Sequence, residues 1–174
     1  MSGILGRSLL AFALLVMVAI SSGCALRFSP PPGARSASLR VSDAVLDGDA
    51  TRRASLRLVL QGLDQDDDGR AATARSSYER AIQLDPTNPY AYLALARHDV
   101  DAERWNSALE ALDQAELLFG SEAAPGVEAH IAGLRGAARL GKGYGADAEL
   151  LLDRATRISP EAWADGRLSA EELR

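Results

Sequence analysis

Small and apolar residues recur along residues 55–160 with a period of about 34 positions. Tyr78, Ala81, Leu84, Asp85 and Pro86 close one segment, and Leu152, Ala155, Ile158, Ser159 and Pro160 close a later one. The interval between the two prolines is two periods of about 34 with about six positions to spare, so a middle copy fits between them, with the excess near 120–126. Within each copy the small residues stand at matched places: Gly62 and Ala74, Ala96 and Ala108, Gly136 and Ala148. Such pairs let two helices approach closely, since larger side chains would hold them apart. Tyr78, Leu112 and Leu152 follow the second small residue by four positions. They share its helical face and are placed to fill the space between copies. Gly69 and Gly143 fall between the two helices of the first and third copies. The pattern predicts an all-α chain of three helix-turn-helix units.

The first 50 residues carry a different pattern. Arg7 and the amino terminus precede an uncharged apolar run, Leu9 to Ile20, followed by Ser21, Ser22, Gly23 and Cys24. This is the layout of an export signal over 1–23. A membrane-spanning, uncleaved anchor is the alternative, but it needs about 20 apolar residues. The segment resembles bacterial lipoprotein signals, with Ser21 where they usually have leucine. That resemblance implies cleavage before Cys24, diacylation of its sulfur and, because Ala25 rather than aspartate follows, sorting to the outer membrane. Each buried methylene of a lipid contributes about 0.8 kcal/mol, so several acyl chains make a durable anchor. Cys24 is the sole cysteine, so no disulfide forms within the chain. From 24 to 50, Pro30, Pro31, Pro32 and Gly33 precede a serine-rich stretch without apolar periodicity. This reads as a partly stiffened, disordered tether. An ordered arm packed through Leu39, Val41, Val45 and Leu46 is the alternative.

Beyond residue 50 the repeat looks like the tetratricopeptide family, whose unit is two antiparallel helices. Leu58, Gly62, Ala74, Tyr78, Ala81 and Pro86 match the family's signature in the first copy. Tyr92, Leu95, Ala96, Ala108, Leu112 and Ala115 do so in the second, and Gly136, Ala148, Leu152, Ala155 and Pro160 in the third. Gln61 and Arg135 stand where the family has leucine, and Ala132 where it has a large aromatic. The resemblance implies an α-solenoid over 51–174, with repeats at about 55–88, 89–122 and 129–162. Three copies are about the minimum for a stable stack, which needs capped ends. The segment from Glu161, with Trp163 and Leu168, is predicted to cap the last pair. Ser169 and Glu172 have capping-box spacing in a helix expected to fray.

Hydrophobic residues make up 47% of the chain but aromatics only 5%, which favours helices over strands. The net charge of −5 argues against nucleic acid as a partner. Asp64, Asp66, Asp68 and Gly69 imitate the first half of an EF-hand loop, but its twelfth position, a bidentate glutamate in such loops, is Arg75. Calcium binding by the 64–69 turn is therefore an alternative, beside an acidic solvated turn. Gly136 to Gly143 approaches a P-loop without the final hydroxyl or a preceding strand. His98 and His130, the only histidines, are expected at the surface or in a groove, and no nucleophile elbow is present. These absences predict a non-enzymatic protein without metal or cofactor.

In the tetratricopeptide family the first helix of each pair lines the concave side. The resemblance therefore implies a protein-binding groove containing Val59, Leu63, Tyr90, Leu93, Arg97 and His130, with Arg97 able to hold a carboxylate or orient a peptide backbone. The apolar members can equally belong to the core between repeats. The family's Lys and Asn clamp for a chain terminus is absent. The expectation is a lipid-anchored scaffold on the periplasmic face of the outer membrane, binding another envelope protein or peptide, as small lipoproteins of this kind do in pilus, secretion or envelope assembly.

Overall fold

A computed structural model describes residues 39–121 and 123–174. The expected signal peptide, Cys24 and the tether as far as residue 38 lie outside the described residues. Among those described, every regular element is a helix: α1 (Val41–Ala44), α2 (Ala50–Asp67), α3 (Ala71–Leu84), α4 (Pro89–Asp101), α5 (Trp105–Phe119), α6 (Pro125–Gly141), α7 (Gly145–Ile158), α8 (Pro160–Trp163) and α9 (Ala170–Leu173). None of them is long and apolar enough to cross a membrane.

Helices α2/α3, α4/α5 and α6/α7 form the three expected antiparallel pairs. Successive pairs stack through α3 on α4, α5 on α6, and the first helix of each pair on the next. The Asp49 carboxylate accepts the Arg52 N–H at 2.8 Å to start α2. Asn88 does the same for Tyr90 at 3.1 Å, with Pro89 as the first residue of α4. The turn within each pair uses one device three times. Gly69, Glu103 and Gly143 have positive φ. The next N–H reaches back five residues: Arg70 to Gln65 O at 2.7 Å, Arg104 to Asp99 O at 2.8 Å, Tyr144 to Arg139 O at 3.0 Å. This Schellman pattern satisfies the last carbonyls of the first helix. The excess residues of the third period fall between Phe119 and Pro125, where Gly120 breaks α5 at φ 76°.

The close approaches form as the small residues require. A Cβ on Gly62 would lie 2.3 Å from the Tyr78 ring, and one on Gly136 would lie 2.9 Å from Leu152 Cγ. Ala74, Ala96, Ala108 and Ala148 are fully buried. The P-loop-like glycines 136 and 141 belong to α6 and do not form a phosphate cradle.

Three expectations need correction. The tether, expected through residue 50, gives way to ordered chain from Leu39: Val41 and Ala44 are buried, although Leu46 stays 79% exposed. Leu39, Val41 and Val45 supply an apolar edge that packs against the repeats, Val41 fully buried and the other two in part. The cap extends well past the last pair. From Pro160 the chain sets Trp163 on α6, then returns as far as α2, where α9 docks. Finally, α9 is formed and capped to its end, where a frayed helix was expected. Its capping box is complete, with the Glu172 N–H to Ser169 Oγ at 3.1 Å and the Ser169 N–H to the Glu172 carboxylate at 2.8 Å, and Leu173 is buried.

Candidate functional site

The first helices of the pairs, α2, α4 and α6, present the residues expected to line a groove, but that face is covered. Val59, Leu63 and Leu93 are buried in the core, His130 is fully buried, and Arg97 is 3% exposed. Tyr90 is half-buried, its ring edge-on to Phe119 at 5.1 Å between centroids. The expectation of an open groove formed by these six residues is thus corrected. Their faces are closed by residues 39–45 and 160–174, which bring the apolar cover that the stack otherwise lacks. Both histidines, expected at the surface or in a groove, are buried.

His130 joins the two covering segments. The indole Nε1–H of Trp163 donates to His130 Nδ1 at 3.1 Å. Since indole nitrogen only donates, the imidazole proton sits on Nε2, which donates to the Leu39 carbonyl at 3.1 Å. Burial lowers the His130 pKa from its ordinary 6.5, outweighing the opposite influence of the Leu39 carbonyl and of Glu172 and Glu161. The imidazole is neutral and ties residues 39, 130 and 163 together.

Arg97 is the centre of a buried ion network between the first two pairs. Its Nη2 bonds Asp66 Oδ2 of α2, and its Nη1 bonds Asp101 Oδ2 one turn on at 2.7 Å. Asp66 also accepts from His98 Nδ1–H at 2.8 Å and from the Tyr78 hydroxyl at 2.9 Å. Burial pushes the Asp66 carboxyl up, but the His98 hydrogen bond and the Arg97 charge outweigh it and hold it below the usual 3.8. Tyr78 is raised, first by its own burial and then by the Asp66 charge. Arg97 Nε is buried and has no hydrogen-bond partner among the described residues. A second buried carboxylate, Asp99, takes Arg75 Nη1 at 2.6 Å and Arg104 Nε at 2.8 Å.

These contacts also occupy side chains that a calcium loop would use. Asp64 and Asp66 lie within α2 rather than in a loop, Asp66 is committed to three donors, and Arg75 is held by Asp99 and Glu79. Among the described residues, no group of three or more His, Cys, Asp or Glu is placed to hold a metal. Sequence reasoning missed the Asp66 network by reading the aspartate run as solvated. The available signal was position: Asp66 follows Gly62 by one turn on the face that meets α3.

Two open spaces lie beside these elements. A polar cavity of about 510 Å³ lies between the ion network and the covering segment, lined by Asp66, Arg97, His98 and Asp101 on one side and Arg167 and Ser169 on the other. A cleft of about 670 Å³ opens where the excess residues separate the second and third pairs, among Leu117, Phe119, Ile131, Arg135, Leu151 and Arg154. Both of its arginines are paired, Arg135 with Asp113 at 2.7 Å and Glu116 at 3.0 Å, and Arg154 with Glu128 at 2.7 Å, leaving the lining one negative charge in excess.

Residues 67–124 match the family model described as the tetratricopeptide repeat. The match runs from the turn of the first pair through the whole of the second, and it supports the tetratricopeptide family for those residues. No curated protein and no solved structure gives a significant match.

Proposed function

We propose that this chain is a lipid-anchored scaffold of the bacterial envelope, held at the periplasmic face of the outer membrane through Cys24 and binding another envelope protein with its helical pairs. The observation that carries the scaffold part is the stack of three pairs in register, whose middle lies within the tetratricopeptide match. Such stacks display side chains over an extended surface while each pair contacts only its neighbours. The buried charges serve packing between pairs, so the reading assigns no catalysis. The anchor rests on the apolar run, the small residues before Cys24 and the absence of any other cysteine.

Two measurements test the two parts separately. Cys24→Ser should release the protein from the outer-membrane fraction. Retention there would mean an uncleaved anchor or another attachment. For the scaffold, a photoreactive residue at Leu117, which is 72% exposed, or at Arg167 should crosslink one envelope protein in cells that naturally make this chain. A lack of any adduct from both positions would overturn the binding role.

A further inference from the structure

The third pair lacks side chains that the second supplies. Tyr92 and Leu95 of α4 precede the close-approach residue Ala96 by four positions and one, and both are partly buried against the core. The corresponding residues of α6, four positions and one before Gly136, are Ala132 and Arg135. Both line the 670 Å³ cleft that opens between the second and third pairs. The cleft therefore stands where α6 brings neither the aromatic nor the aliphatic side chain of its counterpart.

This cleft lies away from the covering segments. Glu128, Ile131, Ala132 and Arg135 line it at helical spacing, on the side of α6 opposite His130 and Gly133, which meet residues 39 and 163. No residue of 39–45 or 160–174 lines it. Its walls are the second helices α5 and α7, through Leu117 and Leu151. Leu117 is 72% exposed, as is Leu150 beside Leu151 at 71%. Large apolar side chains left in water at the mouth of an unfilled cleft mark a surface that another molecule covers.

The charges at the rim select that molecule. Glu110, Asp113 and Glu116 are the charged residues of α5, so this wall is acidic throughout. The Asp113 and Glu116 side chains are 69% and 58% exposed, whereas Arg135, which they hold, is 17% exposed. The guanidinium thus lies inside and the carboxylates face solvent. We infer that the cleft between α5 and α7 is a docking site for a protein segment that brings an aromatic side chain flanked by lysine or arginine. The ring enters beside Ala132, where the second pair has its own Tyr92, and the flanking cations meet Asp113, Glu116 and Glu128. The inference rests on the scaffold reading and names the chemistry of its partner.

The test uses the full chain and a fluorescent synthetic peptide, Gly-Lys-Leu-Tyr-Leu-Lys-Gly, read by anisotropy. Wild type should bind it with a Kd of about 100 μM or tighter, and peptides with glutamate for both lysines or glycine for tyrosine should bind about ten-fold or more weakly. Leu117→Gln, at an exposed position, should weaken binding about five-fold or more. Ala132→Tyr, which gives α6 the residue its counterpart has, should keep a cooperative melt and abolish binding. Absence of binding to wild type, or equal binding of the glutamate peptide, overturns the inference. So does an Ala132→Tyr protein that binds as wild type does, and so does one that no longer folds, because the cleft then has no room for a ring. Leu117→Gln with unchanged affinity overturns it independently. A concentration-dependent dimer of wild type that Leu117→Gln abolishes overturns it in favour of a second copy. Adducts from Leu117 in cells without peptide binding count against this inference alone, and peptide binding without any adduct counts against the scaffold reading alone.

Discussion

Glu103 carries, at φ 56°, the left-handed conformation that the other two intra-pair turns assign to Gly69 and Gly143. An L-residue there is strained by about 1–2 kcal/mol, partly offset because glycine adds about 0.4–1 kcal/mol of unfolded-state freedom. Glu103→Gly should therefore stabilise the protein by roughly 0.5–1 kcal/mol, read as a higher urea midpoint with unchanged slope. A lower midpoint would show that the Glu103 side chain contributes something the backbone argument omits. Gly62→Ala should act the opposite way. Its Cβ meets the ring of a fully buried Tyr78 that is also fixed at its hydroxyl by Asp66, so the ring has little room to withdraw. Overpacking of this kind costs about 1–3 kcal/mol, measurable in the same titration.

At the scale of elements, α2, α3 and α4 meet around one carboxylate. Asp66→Ala would leave the Arg97 guanidinium in the core with only Asp101, and breaking such a pair costs about 3–5 kcal/mol. Replacing both partners, as in Asp66→Leu with Arg97→Met, should recover most of that loss, and a double-mutant cycle in urea measures the difference. Arg97→Ala alone is correspondingly a stability variant and a poor probe of surface binding. The pH dependence has a definite sign. The folded Asp66 pKa lies below 3.8, so its contribution is fully present above that value and lost as pH falls through the folded pKa. The three pairs themselves were legible in the sequence because Gly62, Ala96 and Gly136 recur with Ala74, Ala108 and Ala148 at a spacing that only close helix packing requires. The ion network was not legible, since a run of aspartates at a helix end is ordinarily solvated, and only the partners on α3 and α4 make Asp66 a core residue. The cap from Glu161 was legible and the packing of residues 39–45 was legible only as an alternative, but how far the two segments extend over the helices was not, for a related reason. Residues 39–45 and 160–174 are too short and irregular to show periodicity, and their apolar residues gain meaning only from the face they cover.

Over the whole molecule, His130 is the point where the beginning and the end of the described chain are fastened to the middle. One ring nitrogen holds Leu39 and the other holds Trp163; the Leu39 bond survives protonation, but the Trp163 bond requires a bare Nδ1 and hence a neutral imidazole with its proton on Nε2. Protonation would place a second N–H against the Trp163 N–H, two donors facing each other in a buried site. The unfolded chain takes up this proton near pH 6.5, whereas burial holds the folded pKa lower, so the unfolded state binds more protons in that interval. Stability from this site is therefore complete above about pH 6.5 and declines as pH falls towards the folded pKa. Glu172 and Glu161 oppose the shift but do not reverse it. Wild type should accordingly lose urea resistance between pH 7.5 and pH 5.5. His130→Gln, whose amide can donate to Leu39 and accept from Trp163 without titrating, should lose less over the same range. His98 is present in both proteins and cancels from the comparison. Equal losses in the two proteins would show that the fastening of residues 39 and 163 does not depend on the charge of His130.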